Sequence, residues 1–264
     1  MSFVGLGSLE LGYILFLSAV LGAVFGSFVT CQAERIASGK DWVKGRSHCD
    51  VCGHTLGLGD LIPIVSYVIH GGKCKYCGTK LSSKYVWSEI GMALAFVGIT
   101  LKVYAFSFEI LMDWGFVCAL YGLSIVDMKK YEIPNGYLIF SIAWWLVGMF
   151  LMHLEGMNVL LLLKDGLIGG FVISGALLLL SLVMDKVLKK ESMGGGDIKL
   201  FFVVGLYLGT LNTLFTLVVA CVVGLLFVFV LKKDKIPFGP AISIATYLGL
   251  TVMPYFVYWY ISLL

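Results

Sequence analysis

Four cysteines and two aspartates are the residues in this sequence whose type and spacing suggest chemistry. The cysteines come as Cys49-Asp-Val-Cys52 and, after 21 intervening residues, Cys74-Lys-Tyr-Cys77. Two such pairs can bring four thiolates into a tetrahedral shell, and Gly53 and Gly78 directly after each pair let the backbone turn tightly around a metal. The expected ion is Zn2+, held by Cys49, Cys52, Cys74 and Cys77. A pair of disulfides is the competing reading, disfavoured where thiols stay reduced, as in a cytosol. His48 and His54 flank the first pair. Four sulfurs already complete a closed structural site, so the histidines are expected outside the shell, and no position is left open for catalysis. Cys31, Cys118 and Cys221 share no spacing and read as buried small apolar residues inside helices.

Asp127 precedes Met128-Lys-Lys-Tyr-Glu-Ile-Pro134, where an apolar run closes and a proline restarts the chain. Asp197 follows Gly194-Gly-Gly196, three residues that allow close backbone approach, and precedes Ile198-Lys199. Two carboxyls brought together in a site of low dielectric cannot both ionise cheaply, so one keeps its proton while the other acts as base. That is the aspartic-protease arrangement: one carboxylate takes a proton from a water that attacks the scissile carbonyl, and the other carboxyl protonates the carbonyl oxygen. Spacing alone leaves a second reading open, in which Asp127 and Asp197 are ordinary helix-end carboxylates and Asp197 caps a helix N-terminus.

The elements that position these residues must be membrane helices. Of 264 residues, 59% are hydrophobic and only 13% charged, which excludes a sizeable soluble domain, a disordered tail or a nucleic-acid module, so no nucleic-acid partner is expected. Apolar runs long enough to span lie at about residues 11–33, 86–106, 108–126, 133–154, 166–184 and 236–264. The first ten residues carry Glu10 and no basic residue, so the first run is expected to be a retained helix rather than a cleaved signal peptide. Residues 200–231 are uncharged and fit either one overlong helix or two short ones turning near Gly209 to Thr213. Two short helices leave all but Lys102 and Lys164 of the 19 basic residues on one side, as the positive-inside tendency favours. The expected fold is therefore an all-α polytopic membrane protein of about eight helices with both termini outside. Its divisions are a first helix (1–33), a cytoplasmic zinc-ribbon loop (34–84) and a multi-helix membrane domain (85–264). Residues 200–211 then make a short helix that needs shelter from lipid. Within the loop, Leu61 to His70 is too short to span and is expected to lie in the interface or over the zinc ribbon.

The order of these features resembles the type IV prepilin peptidases, bacterial membrane aspartyl proteases of the GxGD class whose relatives include presenilin and the archaeal preflagellin peptidases. Gly26-Ser-Phe-Val29 resembles the family's GSFL segment, and the two cysteine pairs resemble its zinc knuckles. Ile62-Pro63 and Ser66-Tyr67 are similar to its IPLLSW stretch, the segments around Asp127 and Asp197 to its two catalytic motifs, and Ile236-Pro-Phe-Gly-Pro240 to its PFGP segment. The resemblance implies cleavage of the short basic leader from prepilin or pseudopilin precursors at the cytoplasmic face of the inner membrane, with Asp127 and Asp197 as the dyad. Gly194 and Gly196 would serve substrate approach and dyad geometry. Lys199 would orient Asp197 or anchor its helix in lipid headgroups, the reading favoured here. Machinery for pilus assembly, competence or type II secretion is the implied partner.

The resemblance also implies methylation of the new N-terminus with S-adenosyl-L-methionine, an activity that nothing in composition or spacing reveals: a loop of this length holds no Rossmann-type methyltransferase. Glu89, an ionisable group about one turn inside the second helix, is the candidate methyl-transfer residue; snorkelling, or pairing with Lys84 or a neighbouring helix, is the alternative. The chain departs from the family pattern at Thr30, usually asparagine, and at Val86, commonly proline. Both flank the cysteine loop, where methyl transfer rather than cleavage is concerned. The remaining alternatives are a peptidase without methylation, an ion-coupled transporter, which would carry carboxylates near the midplane and repeated halves, and a pilus-assembly scaffold.

Overall fold

The computed structural model describes residues 8–42, 45–103, 107–190, 192–232 and 236–262. Lys44, Lys233 and Lys235 of the charge tally, and the last residues of the spans expected to end at Phe106 and Leu264, lie outside the described residues. Among the described residues the fold is helical throughout, with two isolated β-bridges in the cysteine segment. The helices are α1 (Ser8–Ala37), α2 (Val65–Ile69), α3 (Lys84–Val103), α4 (Phe108–Lys130), α5 (Asn135–Leu154), α6 (Val159–Leu188), α7 (Gly195–Leu231), α8 (Gly239–Thr251) and α9 (Met253–Ile261). By length and apolarity, α1, α4, α5, α6 and α7 are each able to cross a membrane, and the bent α8–α9 pair adds a sixth. The chain forms two compact units, residues 1–106 and 107–264.

In the first unit, α1 and α3 run antiparallel at close range because small residues line the seam. A Cβ on Gly22 would fall 2.5 Å from the Met92 carbonyl oxygen, and one on Gly26 would fall 2.9 Å from that of Ser88. The hydroxyls of Ser18 and Thr100 share a buried hydrogen bond of 2.9 Å further along, and Phe25 stacks on Phe96. The segment between these helices holds a 3-10 turn (Leu58–Leu61), the short α2 and the two cysteine knuckles.

In the second unit the decisive feature is Gly209, whose φ of 71° and ψ of −177° interrupt α7. A straight helix of this length would hold residues 197 and 224 about 40 Å apart. Instead both ends of that interval lie beside the start of α8: Gly224 packs on Phe238, while Asp197 lies within reach of the charge of Asp127, whose carboxylate binds the Gly239 amide. At the other end of α8, Gly249 touches both Leu208 and Thr216. The chain therefore turns back at Gly209 into two arms, 195–208 and 210–231, as the charge pattern led one to expect. Asp165 of α6 stabilises the turn by accepting from the Thr210 amide at 3.1 Å and the Thr210 hydroxyl at 2.9 Å, a side-chain cap on the second arm. The short first arm is sheltered: Leu200, Phe201, Val203 and Val204 are at most 1% exposed. Its Gly205 meets Gly169 and Gly170 of α6 backbone to backbone.

Three boundaries differ from expectation. Asp127 does not end its helix, because α4 continues to Lys130 and closes on Tyr131 in the left-handed region (φ 58°). The run expected as one span over residues 236–264 is α8 followed by α9 with a 62° bend. Pro254, second residue of α9, lacks the N–H that would continue the hydrogen-bond ladder. Finally, α6 begins at Val159, so Lys164 and Asp165 lie inside a helix rather than in a loop.

Candidate active site and metal centre

Asp127 lies one turn from the C-terminus of α4 and is 4% exposed. Its Oδ2 accepts the Gly239 amide at 2.8 Å. Gly239 opens α8, so this N–H is one of the donors that a helix start leaves without an intrahelical partner. Pro240 follows it and fixes the helix start. A Cβ on Gly239 would come within 2.7 Å of that same carboxylate oxygen, so only glycine fits here. Behind the contact, the Ser243 hydroxyl donates to the Gly239 carbonyl at 2.8 Å and receives a hydrogen bond from the Ser124 hydroxyl at 2.8 Å, fastening α8 to α4.

Asp197, half-buried, is the third residue of α7, and its amide donates to the Gly194 carbonyl at 3.0 Å. A Cβ on Gly194 would sit 3.1 Å from the Asp197 carboxylate, and one on Gly196 would sit 3.1 Å from Cβ of Ile133. The glycine run thus lets the start of α7 approach the link between α4 and α5. Lys199 reaches the same link and donates to Oδ1 of Asn135 at 3.4 Å. On the other side, Asp185 accepts both the amide and the hydroxyl of Ser192 at 2.7 Å, tying the approach to the glycine run back to α6. Asp127 and Asp197 lie within range of each other's charge, and both are within a turn of a helix end. Sequence reasoning singled out Gly239 only as part of the PFGP-like segment, without a partner, and passed over Ser243, Ser124, Asn135 and Asp185. Only Gly239 carried a usable signal, the proline directly after it.

In the first unit, Cys49, Cys52, Cys74 and Cys77 converge, with all four sulfurs within 4.8 Å of one another and Cys49 and Cys77 at 3.9 Å. Metal–sulfur bonds of about 2.3 Å in a tetrahedron need sulfurs about 3.8 Å apart, so the cluster is suited to a metal ion. The two knuckles repeat one geometry. Gly53 and Gly78 have φ of 68° and 70° and each donates its amide to the first cysteine of its pair at 2.9 Å. The Thr79 hydroxyl and amide draw the Cys77 thiol down to about 6, while, against the pull of the His54 amide, burial and hydrogen bonds with Cys49 and Cys77 push Cys52 up to about 11, as crowded sulfurs share their protons unevenly. His54 lies tilted against the Tyr76 ring, centroids 3.6 Å apart, and His48 meets the Arg46 carbonyl. Of the cysteines expected to be buried in helices, only Cys118 is: Cys31 is half-buried and Cys221 exposed, as an apolar side chain facing lipid can be. Tyr76 also donates to Asp60, which accepts the Gly57 amide as well. Those two bonds, the Gly57 one foremost, hold the Asp60 carboxyl below its ordinary range.

Glu89 is 7% exposed and takes the Ile64 amide at 2.7 Å on Oε2. The pairing with Lys84 weighed from sequence does not form, because Lys84 binds Glu34 at 2.7 Å and Tyr85 donates to the other oxygen of Glu34. Ile64 has φ 62° and ψ −51°, and the Val65 amide turns back to the Pro63 carbonyl. That is a positive-φ γ-turn, rare and strained for a β-branched residue.

Comparison with known proteins divides the chain the same way. Residues 20–103 match the family model described as "Bacterial Peptidase A24 N-terminal domain", and residues 114–229 match "Type IV leader peptidase family". A "Prepilin leader peptidase/N-methyltransferase" of Bacillus subtilis (strain 168) is 29% identical over 87% of this chain and 91% of its own length. One of that name from Vibrio cholerae is 27% identical over 88% and 94%. A "Type 4 prepilin-like proteins leader peptide-processing enzyme" of Escherichia coli is 29% identical over 75% and 72%. No solved structure matches the chain.

Proposed function

This chain belongs to the type IV leader peptidase family, and on that footing we propose that Asp127 and Asp197 form the dyad with which it cuts the leader from prepilin-like precursors and that its first unit serves the N-methylation that follows. What supports the assignment is that two carboxyls 70 residues apart in sequence lie near helix ends and within range of each other's charge, the first of them held by the Gly239 amide. Asp127, held by the Gly239 amide, has one oxygen fixed in place, while half-buried Asp197 faces the approach. A water taken up between them loses its proton to one carboxylate and attacks the scissile carbonyl. The other carboxyl donates to the carbonyl oxygen and, as the tetrahedral species collapses, a proton returns to the leaving amine. Gly194 and Gly196 leave room for an extended substrate backbone, and Lys199 makes only a long, exposed hydrogen bond to Asn135 of α5.

The four cysteines would hold Zn2+ as a closed structural site, whose role is to fold the segment rather than to polarise substrate. Bound S-adenosyl-L-methionine would supply an electrophilic methyl group to the new N-terminal amine. The turn at Gly209 favours eight crossings of the bacterial inner membrane, with dyad and cysteine segment facing the basic, cytoplasmic side and both termini outside. Carboxylates at helix ends favour the hydrolase over an ion-coupled transporter. Lipid and the assembly machinery of pili or type II secretion are the surroundings in which it would act.

The test is mass spectrometry of a type IV prepilin incubated with the purified full chain and S-adenosyl-L-methionine in detergent, beside an Asp197→Ala control. Loss of the leader with one added methyl on the mature N-terminus supports both activities. Leader loss without the methyl removes the second, and no cleavage beyond the control by a folded protein removes the first.

A further inference from the structure

Asp197 stands at the start of an arm whose leading end has little of its own to hold it. Residues 194–196 are all glycine, and a Cβ on Gly195 would meet nothing within 4 Å, so neither side chains nor packing at that point limits the backbone. The first arm of α7 is laid antiparallel along α6: Asp165 meets Thr210, Gly170 meets Gly205, and Asp185 meets Ser192. From Gly170 to Asp185 is about 22 Å of helix, and from Gly205 back to Gly195 about 15 Å. Residues 192–195 must bridge the difference of about 7 Å, more than the roughly 4.5 Å of a helical path and within the roughly 10 Å of an extended one. Gly194 is accordingly extended, with φ −64° and ψ 133°.

We propose that Asp185 is a positioning residue for the dyad: by gripping Ser192 it holds the glycine run drawn out and so fixes where the Asp197 carboxyl stands. The inference rests on the dyad reading above and extends it to a residue outside the two aspartates. One oxygen, Oδ1, accepts both the amide and the hydroxyl of Ser192 at 2.7 Å, so Ser192 is held in orientation as well as in place. Ser181, one turn earlier on the same face of α6, has its hydroxyl 3.4 Å from that of Ser192 and backs the grip. The grip reaches the reacting group within two residues of backbone, because a Cβ on Gly194 would sit 3.1 Å from the Asp197 carboxylate. Without Asp185, the entropy of ordering three glycines has to be lost on the way to the transition state instead of in the folded protein.

Initial rates of leader cleavage by the purified full chain, with a type IV prepilin in detergent, separate positioning from simple stability. Asp185→Ala should lower kcat about ten-fold, the size expected when a reacting group is held less well, with KM unchanged within about two-fold. Asp185→Asn keeps a side-chain oxygen for Ser192 and should retain most of the rate. Gly195→Ala stiffens the run at a point where a Cβ has open space, so adding it to Asp185→Ala should raise kcat again by about three-fold. The proposal is overturned if Asp185→Ala is as fast as the unaltered chain. It is equally overturned if the loss follows a lowered melting temperature, is no smaller in Asp185→Asn and is not recovered by Gly195→Ala, since Asp185 is then structural only. Both results leave the dyad reading standing so long as Asp197→Ala is inactive. An Asp197→Ala enzyme that still cleaves, or an unaltered chain that does not, removes the dyad reading and this proposal with it.

Discussion

The cysteine segment and the aspartate site reach comparable order by opposite routes. Each cysteine knuckle is built within a few residues: the Gly53 amide reaches back to Cys49, the Cys49 amide to His54, and the second knuckle repeats the pattern. The aspartate site has almost nothing local. Asp127 is held by an amide 112 residues away, Ser124 reaches 119 residues to Ser243, and Lys199 reaches 64 to Asn135. A local site can be completed by an ion, whereas a non-local one depends on every helix that delivers a part of it. Damage to the first should therefore be metal-dependent and confined to its unit, and damage to the second should be felt through packing.

The largest expected effect sharpens that contrast from the dyad side. Asp127→Ala should lower leader cleavage by about 10³-fold or more, in the range for loss of general acid–base catalysis, while zinc measured by elemental analysis stays at one ion per chain. In the opposite direction, Cys74→Ser should abolish zinc retention and leave residues 45–83 open to protease, because structural metal binding and folding of such segments are one event. Leader cleavage that vanished along with the zinc would break the claim that the two regions are independent. Gly239→Ala adds one methyl group at the tightest point of the aspartate site. Displacement of α8 from Asp127 should cost about 1–3 kcal/mol of stability and about a hundredfold in cleavage rate, read by thermal unfolding and by initial rates. Lys199→Gln is the mildest: its hydrogen bond is exposed and 3.4 Å long, so about 0.5 kcal/mol or less is expected in the melting profile, with cleavage nearly unchanged.

The same contrast governs what could be read in the sequence. The four-cysteine cluster was legible because its members are side chains at local spacings. The aspartates were legible as acids at helix ends beside glycine and proline, although their meeting was not. The turn within residues 200–231 could be inferred because basic residues beyond it need to stay on one side, a constraint imposed by the membrane rather than by local propensity. Gly239 escaped notice as a ligand of Asp127 because the group that acts is a backbone N–H, which every residue but proline carries. The bend between α8 and α9 had a signal, Pro254, outweighed by the unbroken apolar run around it. For Glu89, sequence gave a costly buried acid but not its partner, since the γ-turn at Ile64 is set by how the segment folds over α3. Composition divides the chain by polarity at residues 33 and 84, while packing divides it at 106.

The bond from Gly239 to Asp127 also has a consequence in time. The chain is made from its N-terminus, and 112 residues separate the two partners. At about 5–20 residues per second, the ribosome delivers Gly239 roughly 6 to 22 s after Asp127. Throughout that interval the first carboxylate is in place without the amide that holds it. On the proposed assignment, a nascent chain passes through most of its synthesis with its dyad incomplete, and its arming waits for one of the last helices to be made.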